Sequence, residues 1–83
     1  MDFEFYRNFI TVAETGNLTT ASKKLALAQP ALSAQIKTLE HYYGAKLIQT
    51  ARGKRQLTLT EAGEAFLGKA RQICRTEETI LLD

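Results

Sequence analysis

Apolar residues recur along this chain at helical intervals in several separate stretches, and alternate in one. Phe5, Phe9, Val12 and Ala13 fall at i, i+4, i+7 and i+8, one face of a 3.6-residue period, and predict a first helix. Asp2 and Glu4 lie in its first turn, where negative charge suits the helix dipole, and Gly16 is a natural stop. Asn17 then opens a second, shorter helix as N-cap, with Ala21 and Leu25 as its inward pair. A third helix starts near Pro30, a residue tolerated where the backbone N–H has no helical partner. Its inner stripe is Leu32, Ile36, Leu39 and Tyr43, and Gly44 is the expected left-handed stop. The period changes after Lys46. Leu47-Ile48, a glycine-containing basic stretch and the alternating Leu57-Thr58-Leu59 predict a two-stranded hairpin that must lean on the helices. From Glu61, with Thr60 as N-cap, Phe66, Ala70, Ile73, Glu77 and Ile80 step by four and three along a long last helix, widened by Leu67, Cys74 and Leu81.

This order predicts a mainly α fold. It is a winged helix-turn-helix over residues 1–60, a three-helix core plus a two-stranded wing, followed by a linker helix over 61–83. A helix of some 20 residues is long for so small a domain, so part of its stripe is expected to pack on a second copy. The expected dimer seam is Phe66, Leu67, Ala70, Ile73, Cys74, Glu77, Ile80 and Leu81. Glu77 interrupts it and either pairs with Arg75, pairs with a partner's arginine or is exposed. Gly63 and Gly68 each cost about 1 kcal/mol of helix propensity relative to alanine, which hints at close approach of another backbone.

Length and composition narrow the function. The chain has 83 residues, enough for one domain but hardly for a deep catalytic cleft as well. Its single cysteine and single histidine build neither an internal disulfide nor a zinc cluster. Scattered carboxylates assemble no nucleophile–base or metal set, which disfavours an enzyme, and no cofactor is implied. Cys74 reads as a small hydrophobe beside the seam and His41 as a surface residue. No apolar run is long enough to cross a membrane, the N-terminus lacks the basic region of a signal peptide, and a reducing cytoplasm fits best.

The formal net charge of +2 is bland, but its distribution is not. Residues 1–22 carry −2 and residues 56–83 carry −2, whereas residues 23–55 carry +6 from Lys23, Lys24, Lys37, Lys46, Arg52, Lys54 and Arg55 against Glu40 alone. A basic middle between acidic flanks suits a polyanion. The far side of the third helix holds Pro30, Ala34, Lys37 and His41 with Ser33 at its border, and no acid. The DNA major groove is about 12 Å wide and admits one helix carrying short side chains near its N-terminus. The helix over 29–43 is therefore expected in the major groove and the wing over 49–57 on the backbone or minor groove. Gln29 can contact adenine with both ends of its amide, and Ser33 can bond a phosphate or a base edge. Pro30 and Ala31 are slim enough to touch thymine methyls, and Lys37 reaches a phosphate or guanine. Thr19 and Thr20 face either phosphate or solvent. Arg52, Lys54 and Arg55 sit at the expected wing tip. The alternative is a winged helix used for protein–protein interaction, which would tolerate loss of Lys54 and Arg55.

The run Ala21-Ser22-Lys23-Lys24-Leu25, the segment from Ala28 to Glu40 containing Gln29-Pro30-Ala31-Leu32-Ser33, and the later Leu59-Thr60-Glu61-Ala62-Gly63 resemble the winged helix-turn-helix domain of LysR-type transcriptional regulators. The resemblance covers essentially the whole chain. It implies a bacterial regulator, a homodimer through the 61–83 helix, tetramers in the full-length form, and double-stranded DNA targets that are interrupted palindromes near promoters. Members usually continue into an effector domain, so the resemblance implies a DNA-binding domain and linker helix without it. Ala28 stands where the family often has a capping Ser or Thr, Ala34 where Arg is frequent, and Thr50 where a basic residue is common. The stretch from Leu47 to Leu59-Thr60 is longer than in many members, which suggests a longer wing carrying Arg52, Lys54 and Arg55.

Overall fold

The computed structural model describes residues 3–50 and 56–82, with side chains up to Thr76. The elements run α1 (Phe3–Thr15), α2 (Leu18–Leu25), α3 (Gln29–Tyr43), β1 (Ile48–Thr50), β2 (Leu57–Leu59) and α4 (Glu61–Leu82). This is the winged helix-turn-helix with a long last helix that the hydrophobic pattern predicts. Arg52, Lys54 and Arg55 lie outside the described residues, as do the side chains of Glu77, Ile80 and Leu81.

The ends of the helices follow local chemistry. The side-chain oxygen of Asn17 accepts from the Thr20 N–H at 3.0 Å and caps α2. Ala28 leads into α3 with no side-chain cap, as its missing hydroxyl dictates. Gly44 ends α3 in the left-handed conformation, and the Gly44 and Ala45 N–H groups bond back to the carbonyls of His41 and Glu40. Ala26 ends α2 in the same conformation, with φ 55°, without glycine's freedom.

The core collects one face from each helix. Phe9, Val12, Ala21, Leu32, Ile36, Leu39 and Leu47 are almost completely buried. Complete burial of a large apolar side chain contributes about 1.5–3 kcal/mol. Phe66 of α4 is the aromatic keystone. Its ring meets Phe9 edge-on at 4.9 Å and stacks on Tyr6 at 5.7 Å, while Tyr43 tilts against it at 5.0 Å. Ala70 and Cys74 are buried along the same helix, whose main neighbour is α1. Tyr43, the last residue of the α3 stripe, is only partly covered, because its ring lies over Phe66 at the edge of the core. Its hydroxyl instead bonds the Tyr6 hydroxyl at 2.6 Å.

The wing is antiparallel, pairing Ile48 with Leu59, Gln49 with Thr58 and Thr50 with Leu57. Its second strand is also tied to the α1–α2 turn. Asn17 forms a bridge to Gln56, and the Leu57 N–H donates to the Gly16 carbonyl at 2.9 Å. That tie leans a weak hairpin on the helical body.

Residues 46–48 are held from both sides. One carboxylate oxygen of Glu40 accepts from the Leu47 N–H at 2.8 Å and the Ile48 N–H at 3.3 Å. The Thr60 hydroxyl donates to the Lys46 carbonyl, and the Thr60 N–H donates to the Leu47 carbonyl at 3.0 Å. Thr60 also caps α4 by accepting from the Gly63 N–H at 2.9 Å. A Cβ on Gly63 would lie 2.0 Å from the Leu47 carbonyl oxygen, so only glycine lets α4 start this close to the strand. The close approach expected at Gly63 is therefore to the chain's own backbone. Gly68 faces open space, and no atom of the described residues approaches within 4 Å of where its Cβ would lie.

Three measurable consequences follow from this packing. Gly63→Ala should cost about 2–4 kcal/mol in denaturant unfolding, because a backbone atom must move, whereas Gly68→Ala should gain up to about 1 kcal/mol of helix propensity. Glu40→Ala should cost about 1–3 kcal/mol and speed hydrogen exchange at the Leu47 and Ile48 amides, while Glu40→Gln keeps an acceptor and should lose less. Hydrogen bonding to Tyr6, then burial, then the charges of Tyr6 and Tyr42 push the Tyr43 phenol from its ordinary value near 10 to about 12. Its neutral form is the one the fold favours, so this contribution is complete below pH 10 and is lost as pH rises towards 12. An ultraviolet titration should show the late ionisation of Tyr43, and Tyr6→Phe should bring it back towards the ordinary value.

Candidate nucleic-acid interface

The helix-turn-helix presents one continuous outer surface. Because Leu32, Ile36 and Leu39 point into the core, the 3.6-residue period turns Pro30, Ala34, Lys37 and His41 outward, and all four are exposed. Gln29 and Ala31 at the start of α3 are exposed as well, and Ser33 is half-buried at the border of the face. Thr19, Thr20, Lys23 and Lys24 are exposed on α2. Pro30 occupies the first turn of α3. Small side chains there keep the N-terminal end of the helix slim.

Two of the predicted residues are in contact. The Thr19 hydroxyl donates to the Gln29 side-chain oxygen at 3.1 Å, across the turn between α2 and α3. Sequence spacing treats them as separate contacts on separate helices, and only the crossing of α2 and α3 brings them together.

The outer face continues towards the wing. A shallow cleft of about 160 Å³ lies between α2, α3 and β1, lined by Leu18, Ser33, Ile36, Lys37, Glu40, Lys46, Ile48 and Thr50. Lys37 and Lys46 bring positive charge to it. Among the described residues Glu40 is the lone acid in this lining, and its carboxylate is engaged by the Leu47 and Ile48 N–H groups. The chain's basic middle thus meets little opposing charge here. Gln49 and Thr50 of β1 are exposed and lead into the segment that holds Arg52, Lys54 and Arg55.

Polar residues that the pattern of apolar positions passes over set the pose of α3. Asn8 of α1 is buried, and its side-chain N–H donates to the Gln35 oxygen at 2.8 Å. Unsatisfied, a buried amide would cost about 1–3 kcal/mol, so this bond restricts how α3 can turn on α1. Glu40 anchors the other end of the helix to the wing. The signal for Gln35 and Glu40 is their place beside the apolar stripe, where a polar side chain borders the core.

The expected dimer seam divides in two. Phe66, Ala70 and Cys74 are buried within the single chain, and their faces are taken up by its own core. Leu67 and Ile73 pack against that core but remain half-exposed. Arg71 of α4 pairs with Glu14 of α1 at 3.6 Å, an exposed pair of small energetic weight. Among the described residues no group of three or more His, Cys, Asp or Glu side chains is placed to hold a metal ion, and no helix is long and apolar enough to cross a membrane.

Comparison with known proteins converges on one family. The family described as "Bacterial regulatory helix-turn-helix protein, lysR family" matches residues 3–64. The chain is 41% identical over 83 residues to the HTH-type transcriptional regulator BsdA of Bacillus subtilis (strain 168), covering all of this chain and 28% of that protein. It is 42% identical over 82 residues to the Hca operon transcriptional activator HcaR of Escherichia coli (strain K12), covering 99% of this chain and 27% of that protein. It therefore spans less than a third of the length of these relatives. Among solved structures, the CbnR_DBD–DNA complex is similar with a TM-score of 0.88 and 38% identity, over 95% of this chain and 88% of that one. The BenM_DBD/benA site 1 DNA complex is similar with a TM-score of 0.87 and 33% identity, over 98% of this chain and 92% of that one. The chain belongs to the lysR family of bacterial regulatory helix-turn-helix proteins.

Proposed function

We propose that this chain is the sequence-specific, double-stranded DNA-binding part of a LysR-type transcriptional regulator acting in the cytoplasm. The observation that carries the reading is the outer face of α3, which is slim at its N-terminal end, basic at Lys37 and free of acids. Such a face fits the major groove sterically and electrostatically. Supporting it, the similar CbnR and BenM domains are described as complexes with DNA.

In this reading Gln29, Pro30, Ala31 and Ser33 approach base edges, with Ala34 leaving room beside them. Lys37 and Thr20 hold phosphates, and Arg52, Lys54 and Arg55 follow the backbone or minor groove from the wing. The protein acts as a homodimer through α4 on an interrupted palindrome, and as a tetramer in a longer form with an effector domain. The lengths of the helices support the dimer. α4 has 22 residues and α1 has 13, so α4 outruns its main neighbour by about 13 Å. Half-exposed Leu67 and Ile73 offer apolar surface along it.

Affinity for a duplex should fall steeply with salt, by about 0.9 in log K per log salt for each phosphate contact. A flat response in a fluorescence-anisotropy titration would overturn the DNA reading in favour of a protein-binding winged helix. Ile73→Asp, with helicity retained by circular dichroism, should sediment as a monomer where the unaltered chain sediments as a dimer. An unchanged dimer would move the seam elsewhere.

A further inference from the structure

We infer that Thr19 is a positioning residue for base recognition: its hydroxyl orients the Gln29 amide and so sets which base that side chain prefers. The inference rests on the DNA-binding reading of α3. It replaces a phosphate-contacting role for Thr19.

The hydroxyl has been freed for this by its place in the helix. Thr11, Thr38 and Thr76 donate their hydroxyls to the carbonyl four residues earlier in their own helices, to Arg7, Ala34 and Gln72. Thr19 is the second residue of α2, and the residue four positions earlier, Thr15, belongs to α1. With no such carbonyl in its own helix, the Thr19 hydroxyl reaches ten residues ahead to the Gln29 oxygen. Its base is rigid. A β-branched side chain in a helix has few rotamers. The first turn of α2 is held by the Asn17 cap on the Thr20 N–H and by the buried Ser22, whose hydroxyl donates to the Thr19 carbonyl at 2.8 Å.

Gln29 needs that support. It begins a helix that has no side-chain cap, its side chain is exposed, and three rotatable bonds separate its amide from the backbone. A free glutamine would lose rotamer entropy on meeting a base, and holding it beforehand reduces that loss. In the orientation the structure shows, the hydroxyl donates to the amide oxygen. With Thr19 on the oxygen, the amide N–H groups are left to donate, and one oxygen lone pair remains. The amide is thus presented as a donor to purine N7, with its remaining acceptor capacity available for the adenine amino group.

The test uses the 83-residue chain and a randomised duplex library, followed by binding to duplexes differing at single positions. Gln29→Ala should flatten preference at one position in each half-site. Thr19→Val keeps the β-branched shape without the hydroxyl. It should lower discrimination at that same position by about 3- to 10-fold, leaving the salt dependence unchanged. Thr19→Ser should restore the preference, and Thr19→Val should add nothing in a Gln29→Ala background. A Thr19→Val chain that binds every duplex more weakly by the same factor, with its base preference intact, would make Thr19 a phosphate ligand and overturn the positioning role. Unchanged discrimination by Thr19→Val, with the unaltered chain still selective, would also overturn it. An unaltered chain that ignores DNA sequence would overturn the specific DNA reading itself, and the inference with it.

Discussion

The short segment from Lys46 to Ile48 is the constraint on which the other parts depend. Glu40 holds its N–H groups, Thr60 holds its carbonyls, and Gly63 allows α4 to begin against it. The segment joins three parts: Glu40 lies on α3, Ile48 opens β1 of the wing, and Thr60 and Gly63 form the start of the long last helix. The angle between α3 and the wing is therefore set by hydrogen bonds onto the main chain of this segment, which tolerate little variation in length or direction. Leu47 is buried at the centre of this segment, so displacing the clamp would also open the core.

The clamp has an electrostatic side. An acid on a surface proposed to meet a polyanion would ordinarily repel that partner. Glu40 lines the cleft beside Lys37 and Lys46, yet its carboxylate accepts two backbone N–H groups. The two N–H dipoles partly offset its negative charge. The one acid within the basic middle of the chain thereby serves the fold and leaves the lysines to dominate the outer face.

A similar division runs along α4. Sequence periodicity alone assigns Phe66, Ala70 and Cys74 to a seam between copies, since a stripe at heptad-like spacing has the same appearance whichever partner covers it. In the folded chain, α1 and the aromatic cluster of Tyr6, Phe9 and Tyr43 take up that part of the stripe. Leu67 and Ile73 flank it and stay half-exposed. The domain and its proposed dimer thus draw on neighbouring faces of one helix.

Much was legible in the chain because it depends on residues close in sequence. Helical stripes, the Asn17 and Thr60 caps, the Gly44 stop and the uncapped Ala28 are local matters of spacing and hydrogen-bonding capacity. The outer face of α3 followed from its inner face by geometry alone. What sequence could not determine were contacts between residues far apart. The Thr19–Gln29 bond, the Asn8–Gln35 bond, the bridge from Asn17 to Gln56 and the approach of Gly63 to Leu47 all depend on how helices cross. A polar side chain announces that it needs a partner, but its sequence position does not say which one. That choice belongs to tertiary packing, which turned a row of candidate DNA contacts into an ordered surface.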